Sequence, residues 1–246
     1  MKVLVVGALG IMGGHVINAV NNAGHECVAF VDIKYTQECA PNEYSCICDV
    51  REKADVIIDF SFHGLTKEIT DYAIKTQTPV VIATTGQTDE ERAIINEASK
   101  SVAVFYTGNM SVGIATLCDV VRRVVSVFPD ADVEIIETHH NRKLDAPSGT
   151  AKMLFEAVRE ARPEAYANQG RNGICKRDKN EVGITSVRIG NIVGIHEVRI
   201  GTMTEQITLK HEAYDRALFA DGAVKSAEFM CGRGAGLYTM KELLKG

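Results

Sequence analysis

"KVLVVGALGIMGGHVINAV", residues 2–20, holds the reading that decides the fold. Four apolar residues, Val3 to Val6, run into a glycine turn, and the turn opens directly into a segment of helical period. Gly7, Gly10 and Gly13 are spaced G-x-x-G-x-x-G rather than in the commoner G-x-G-x-x-G. Glycine there lets the backbone turn tightly and come close to a pyrophosphate, whose charge is favoured by the unpaired N–H groups at a helix start. Asp32 closes the next apolar run, "ECVAFVD", at about the 20-residue distance where a carboxylate can accept hydrogen bonds from an adenine ribose. Strand, glycines, helix, strand and acid in this order predict dinucleotide binding. Asp32 favours the ribose hydroxyl of NAD, whereas Lys34 could pair with the extra phosphate of NADP, so NADH and NADPH both stay open as cofactors.

Further along, "DVIIDFS", "PVVIA" and "VAVFY" alternate with the helical segments "GLTKEITDYAIKT" and "TDEERAIINEASK", the latter with Thr88 as N-cap. That alternation is the signature of βαβ units around a buried parallel sheet. Ligands in such sheets lie outside the carboxyl ends of the strands, so "ATTGQT" (83–88) and "TGNMSVG" (107–113) are expected to line the cofactor cleft. After Gly113 the rhythm changes. A helical run, "IATLCDVVRRVVSVF", leads into the extended "DVEIIETHH", and "ITSVRIG", "VGIHEVRIG" and "EQITLKHEA" follow as consecutive extended runs. Their partial alternation suggests a mostly antiparallel or mixed sheet with one polar face. "DRALFADGAVKSAEFMCG" and "LYTMKELLK" then return to helical period. The fold class is α/β: an N-terminal Rossmann-like domain over 1–110, completed by C-terminal helices 217–246, and a second α+β domain over 111–216 built on a mixed sheet.

A chain of 246 residues with 46% hydrophobic content can bury one large core or two modest ones. The net charge of -5, with basic residues scattered, gives no footprint for nucleic acid. No stretch has the length of a membrane span or the end of a cleaved leader, so neither membrane nor export is expected. Seven cysteines at irregular spacings fit reduced thiols in the cytoplasm. Cys39, Cys46 and Cys48 could gather around zinc, but no second cysteine pair completes a set of four, and no metal is expected.

"ETHHNRKLDAPSGTAK", residues 137–152, carries the chemistry of the second domain. Pro147 excludes a helical residue before it, so Ser148, Gly149 and Thr150 start the next helix, where backbone N–H groups and the Thr150 hydroxyl can take a carboxylate. The bland alternative is an ordinary N-cap. His139, His140, Arg142 and Lys143 repel one another unless solvent or an anion offsets their charge, and a dianionic ligand would. Histidine and lysine can also donate protons. Hydride addition to a carbon–nitrogen double bond leaves a nitrogen in need of one, so a cofactor cleft with a basic loop suggests reduction of a small, carboxylated, unsaturated substrate. His15, His25, His63, His196 and His211 read as structural or solvent-exposed.

Together "GALGIMG", "ATTG", "NMSVGI", "HHNRKLDAPSGTA", "GNIVGIHEV" and "FADGAVKSA" resemble the 4-hydroxy-tetrahydrodipicolinate reductase family, from residue 2 to about residue 244. The resemblance implies NAD(P)H-dependent reduction of a dicarboxylate, with loss of water, in the diaminopimelate route to lysine. It assigns proton transfer to His139 and Lys143, and carboxylate binding to His140, Gly149 and Thr150, to which the helix-start reading adds Ser148. Its cofactor positions are Gly7, Ala8, Leu9, Gly10, Ile11, Met12, Asp32, Ala83, Thr84, Thr85, Thr107, Gly108, Asn109 and Met110, to which the reading of the second strand's end adds Lys34. It also implies a homotetramer joined through the second domain. Family members often carry basic residues where Ile11 and Ile33 stand, and their absence tells against a strong preference for NADPH. Ala83 replaces a usual glycine and Asn141 a common arginine. Another two-domain dehydrogenase would give no reason for the His-His and Ser-Gly-Thr block, and a non-catalytic NAD(P)H sensor would bind dinucleotide without turnover.

Overall fold

The computed structural model describes residues 1–36 and 40–245, and the chain divides into two units, Met1–Ser111 with Arg216–Gly246 and Val112–Asp215. The first unit opens with β1 (Lys2–Val6), α1 (Ile11–Asn22), β2 (Glu26–Val31) and a two-residue β3 (Glu43–Tyr44). It continues with β4 (Val56–Asp59), α2 (Thr66–Thr76), β5 (Val80–Ile82), α3 (Asp89–Ala98) and β6 (Ala103–Tyr106). Thr88 caps α3 through a capping box with Glu91. The strands lie in the order β3-β2-β1-β4-β5-β6 and every ladder among them is parallel. This is the doubly wound dinucleotide-binding order, whose direction reverses between β1 and β4.

The second unit consists of α4 (Val112–Val127), β7 (Asp132–His139), α5 (Gly149–Ala161), β8 (Tyr166–Gln169), β9 (Glu181–Arg188), β10 (Gly194–Gly201) and β11 (Gln206–Ala213). Its sheet runs β11-β10-β7-β9-β8 and is mixed. β10 is antiparallel to both β7 and β11, while β9 is parallel to β7 and β8. Leu117 and Val121 of α4 and Leu154 and Val158 of α5 pack on Val133, Ile135, Val198 and Ile200. Along β7 the residues alternate, with Val133, Ile135, Glu137 and His139 buried. The period of two that buries the valine and isoleucine thus carries a carboxylate and an imidazole to the same face.

The chain then returns to the first unit as α6 (Ala217–Met230), β12 (Gly236–Tyr238) and α7 (Met240–Leu243). "LYTMKELLK" is therefore not helical throughout, because Leu237 and Tyr238 pair in parallel with Val104 and Phe105 and add a seventh strand beside β6. In this unit Leu4, Val6, Ile57 and Val80 pack with Ile69 of α2 and Ile95 of α3. Phe105 meets Phe229 of α6 edge to face. Strands covered by helices read as continuous apolar runs, which is why "KVLVV" and "DVIID" do not alternate. No helix among the described residues is long and apolar enough to cross a membrane.

Candidate active site

Gly7 has φ of +82°, and a Cβ there would lie 2.5 Å from the carbonyl oxygen of Phe60, so the first turn touches the end of β4. Gly10 caps α1 without any side-chain hydrogen bond, and no acidic residue occupies the helix's first turn. That leaves a positive, backbone-lined end where an anion fits. Asp32 turns back onto it: Oδ2 accepts the Leu9 N–H at 3.0 Å and Oδ1 accepts the Lys34 N–H at 3.1 Å. A cavity of about 310 Å³ gathers Gly7, Gly10, Asp32 and Lys34 with Phe60 and Phe62. Such a glycine cradle with an acid beside it fits a dinucleotide. Ile11 and Ile33 are both about three-quarters exposed near it, at 74% and 76%.

Ala83, Thr84 and Thr85 follow β5, and Thr107, Gly108, Asn109 and Met110 follow β6, further along the same carboxyl edge of the sheet. The first of these loops is tied to the end of β4. The Ala83 and Thr84 N–H groups donate to the Asp59 carbonyl, and the Thr84 hydroxyl accepts the Ser61 N–H at 2.9 Å. Burial raises the Asp59 carboxyl, against the Ser61 and Thr84 hydrogen bonds that lower it. Gly222 of α6 passes so close to the second loop that a Cβ would sit 1.8 Å from the Met110 carbonyl oxygen. Phe60, Ser61 and Phe62 were not among the residues singled out from sequence. Their signal is positional: they follow a strand that borders the reversal of strand order.

In the second unit Glu137 is fully buried. Its Oε2 meets Nδ1 of His139 at 2.5 Å and Nη1 of Arg188 at 2.8 Å; Oε1 accepts from Nη2 of Arg188 at 2.7 Å and from the Ser148 N–H at 3.1 Å. Burial alone would raise this carboxyl, but hydrogen bonds from His139, Arg188 and Ser186 and from the Ser148 N–H hold it well below the usual carboxylate range. An ionised carboxylate only accepts, so the His139 proton sits on Nδ1 and Nε2 is the ring's exchangeable position.

Ser148 caps α5 by accepting the Ala151 N–H, and its hydroxyl also meets Nε2 of His196 at 3.2 Å. The His196 ring packs edge-on to that of His139, and burial followed by the neighbouring His139 pushes its pKa down to about 3. Sequence set His196 aside, and Arg188 drew no attention; the fold brings both to His139. Lys143 is mostly buried and pairs with Asp145 at 2.8 Å, and Arg188 ties that turn down through the Asp145 carbonyl at 2.6 Å. The peptide between Ala146 and Pro147 is cis. Gly149 is exposed at the start of α5, with no atom within 4 Å of where its Cβ would be, next to half-buried Thr150. His140 and Asn141 donate their backbone N–H groups to the Ile192 and Gly190 carbonyls, which anchors the loop to the turn before β10.

Comparison with known families matches residues 1–110 to the profile "Dihydrodipicolinate reductase, N-terminus" and residues 113–244 to "Dihydrodipicolinate reductase, C-terminus". The chain belongs to the dihydrodipicolinate reductase family. Among its relatives, the 4-hydroxy-tetrahydrodipicolinate reductase of Caldanaerobacter subterraneus is 42% identical over 248 residues, covering 100% of this chain and 98% of that one. The same-named protein of Clostridium novyi is 42% identical over 250 residues, covering 99% and 98%. A solved dihydrodipicolinate reductase from Paenisporosarcina, described as dipicolinate-bound, superposes with a TM-score of 0.79 at 25% identity over 97% of each chain. As a dihydrodipicolinate reductase, the protein is an oxidoreductase of the diaminopimelate route to lysine and works with a dinucleotide.

Proposed function

We propose that this dihydrodipicolinate reductase converts 4-hydroxy-tetrahydrodipicolinate to tetrahydrodipicolinate, adding a hydride and a proton with departure of water, and that His139 and Lys143 handle the proton. The bound nicotinamide dinucleotide supplies the hydride. Gly7, Gly10 and the α1 start hold its pyrophosphate, Asp32 takes the ribose, and the loops at Ala83–Thr85 and Thr107–Met110 complete its cleft. The N–H groups at Gly149 and Thr150, at the start of α5, and the His140 side chain hold the substrate's carboxylates. Ser148 contributes from behind, because its hydroxyl is already engaged as the α5 cap and with His196.

One observation carries the reading: buried Glu137 fixes His139 in one tautomer, a few residues from an ammonium group that Asp145 and Arg188 hold in place. A structural core histidine needs no buried ionised partner, whereas a proton-transfer residue gains from one. The dipicolinate-bound relative supports a cyclic dicarboxylate as ligand. With exposed isoleucines at 11 and 33 and an acid at 32, NADH serves at least as well as NADPH. The other face of the second unit's sheet carries Ile136, Ile195 and Val187, outside the packed core, and supports a homotetramer joined there.

The decisive assay generates the substrate in place from pyruvate and aspartate semialdehyde with a synthase and follows NADH and NADPH absorbance. Oxidation that depends on the synthase supports the reading; NADH binding without such oxidation would leave only a dinucleotide sensor.

A further inference from the structure

Cys46, Cys48 and Glu68 form a cluster that the reductase reaction leaves without a task. Sγ of Cys46 lies 3.2 Å from Oε1 of Glu68, and Sγ of Cys48 lies 4.0 Å from the same oxygen. One donor atom from each of the three residues falls within 4.8 Å of the other two, and among the described residues no other three of His, Cys, Asp and Glu gather in this way. The ligands come from two packed pieces of the first unit: Cys46 as the N-cap of the 3-10 turn Ile47–Asp49, Cys48 from within that turn, and Glu68 from the first turn of α2.

The spacing fits a tetrahedral cation. With bonds of about 2.3 Å to sulfur and about 2.1 Å to oxygen, the sulfur-to-oxygen edge of such a site is about 3.6 Å. The two observed separations bracket that value, and the two sulfurs lie within 4.8 Å of each other against a tetrahedral sulfur-to-sulfur edge of about 3.8 Å, so ligation needs side-chain shifts of about 1 Å at most. The Cys48 N–H already donates to Sγ of Cys46 at 3.2 Å, the kind of backbone bond that orients and stabilises a thiolate ligand.

We propose that Cys46, Cys48 and Glu68 form a binding site for a thiophilic divalent cation, Zn²⁺ by chemistry, with two thiolates, one carboxylate and a fourth position open to water. This departs from the expectation of no metal. The three cysteines considered from sequence included Cys39, which lies outside the described residues; the oxygen of Glu68, remote in sequence, supplies the third ligand instead. Cys46 and Glu68 also line the cavity that holds Asp32, so the cation sits in the wall of the dinucleotide cavity. The site would crosslink the 3-10 turn to α2 and stabilise the folded state by mass action.

Co²⁺ added to the reduced, metal-free, full-length protein is the probe. One equivalent should produce a thiolate-to-cobalt charge-transfer band that Zn²⁺ abolishes. Cys48→Ser, an exposed change that should leave the metal-free melting temperature where it was, should lose the band; Cys175→Ser, at an exposed cysteine elsewhere, should keep it. Zn²⁺ should raise the melting temperature of the wild type and not that of Cys48→Ser. No band in the wild type, a band that survives Cys48→Ser, or a band lost in Cys175→Ser overturns the site. None of these readouts involves turnover, so they stand apart from the reductase assay.

Discussion

Replacing Glu137 by glutamine keeps its shape and removes its charge, which separates what the carboxylate does for His139 from what it does for packing. Turnover should fall by about 10- to 100-fold as the tautomer and charge support of His139 are lost, while NADH affinity, measured by fluorescence titration, stays unchanged. The same substitution leaves the Arg188 guanidinium without its bidentate partner, so urea unfolding should also show a loss of about 1–3 kcal/mol. Lys143→Ala should lower turnover by about a hundredfold or more without weakening NADH binding; equal loss of both would indicate misfolding. His196 gives a pH signature. Folded, it stays neutral down to about pH 3, whereas the unfolded chain takes up the proton near 6.5. Between those values the unfolded state binds more protons, so stability falls as pH drops from 6.5 towards 3, by at most about 1.4 kcal/mol per unit. His196→Gln should flatten that slope in urea midpoints taken at successive pH values; an unaltered slope would mean that other groups set it.

At the level of elements, two adjacent glycines in α1 behave oppositely. A Cβ on Gly13 would lie 2.2 Å from the Gly7 carbonyl oxygen, while one on Gly14 meets nothing within 4 Å. Gly14→Ala should therefore raise stability by about 0.5–1 kcal/mol through helix propensity, and Gly13→Ala should lower it and impair NADH binding, both readable in thermal melts with and without cofactor. The same stretch shows why the first unit was legible in sequence. A buried parallel strand, a glycine turn and an amphipathic helix are local patterns, and "KVLVVGALGIMGGHVINAV" states all three in nineteen residues. The strands β3, β8 and β12 were not: β4, β5 and β6 are equally short but announce themselves as apolar β-branched or aromatic runs, whereas "EY", "YANQ" and "GLY" contain no such run. In the second unit the His139 loop was legible by charge crowding. Glu137 could have been found from strand alternation alone. Arg188 and His196 could not, because they depend on ladder register: β9 sets Arg188 opposite His139, and β10 sets His196 opposite Glu137.

For the whole molecule, the first unit is discontinuous in sequence. Ala220, Ala223, Ala227 and Met230 of α6 are fully buried, and β12 extends the sheet that begins at residue 2. Deleting 216–246 should therefore abolish NADH binding although every proposed cofactor residue is retained, and circular dichroism should show loss of more helix than the deleted segment contains. Domains generally fold in the order in which synthesis delivers them. Here that order is inverted in part. On the ribosome the stretch from Val112 to Asp215 is contiguous and can condense as soon as it emerges. The N-terminal sheet, made first, must wait for residues 216–246 before its α6 face is covered. Until then the apolar residues that α6 buries against that sheet stay open to solvent.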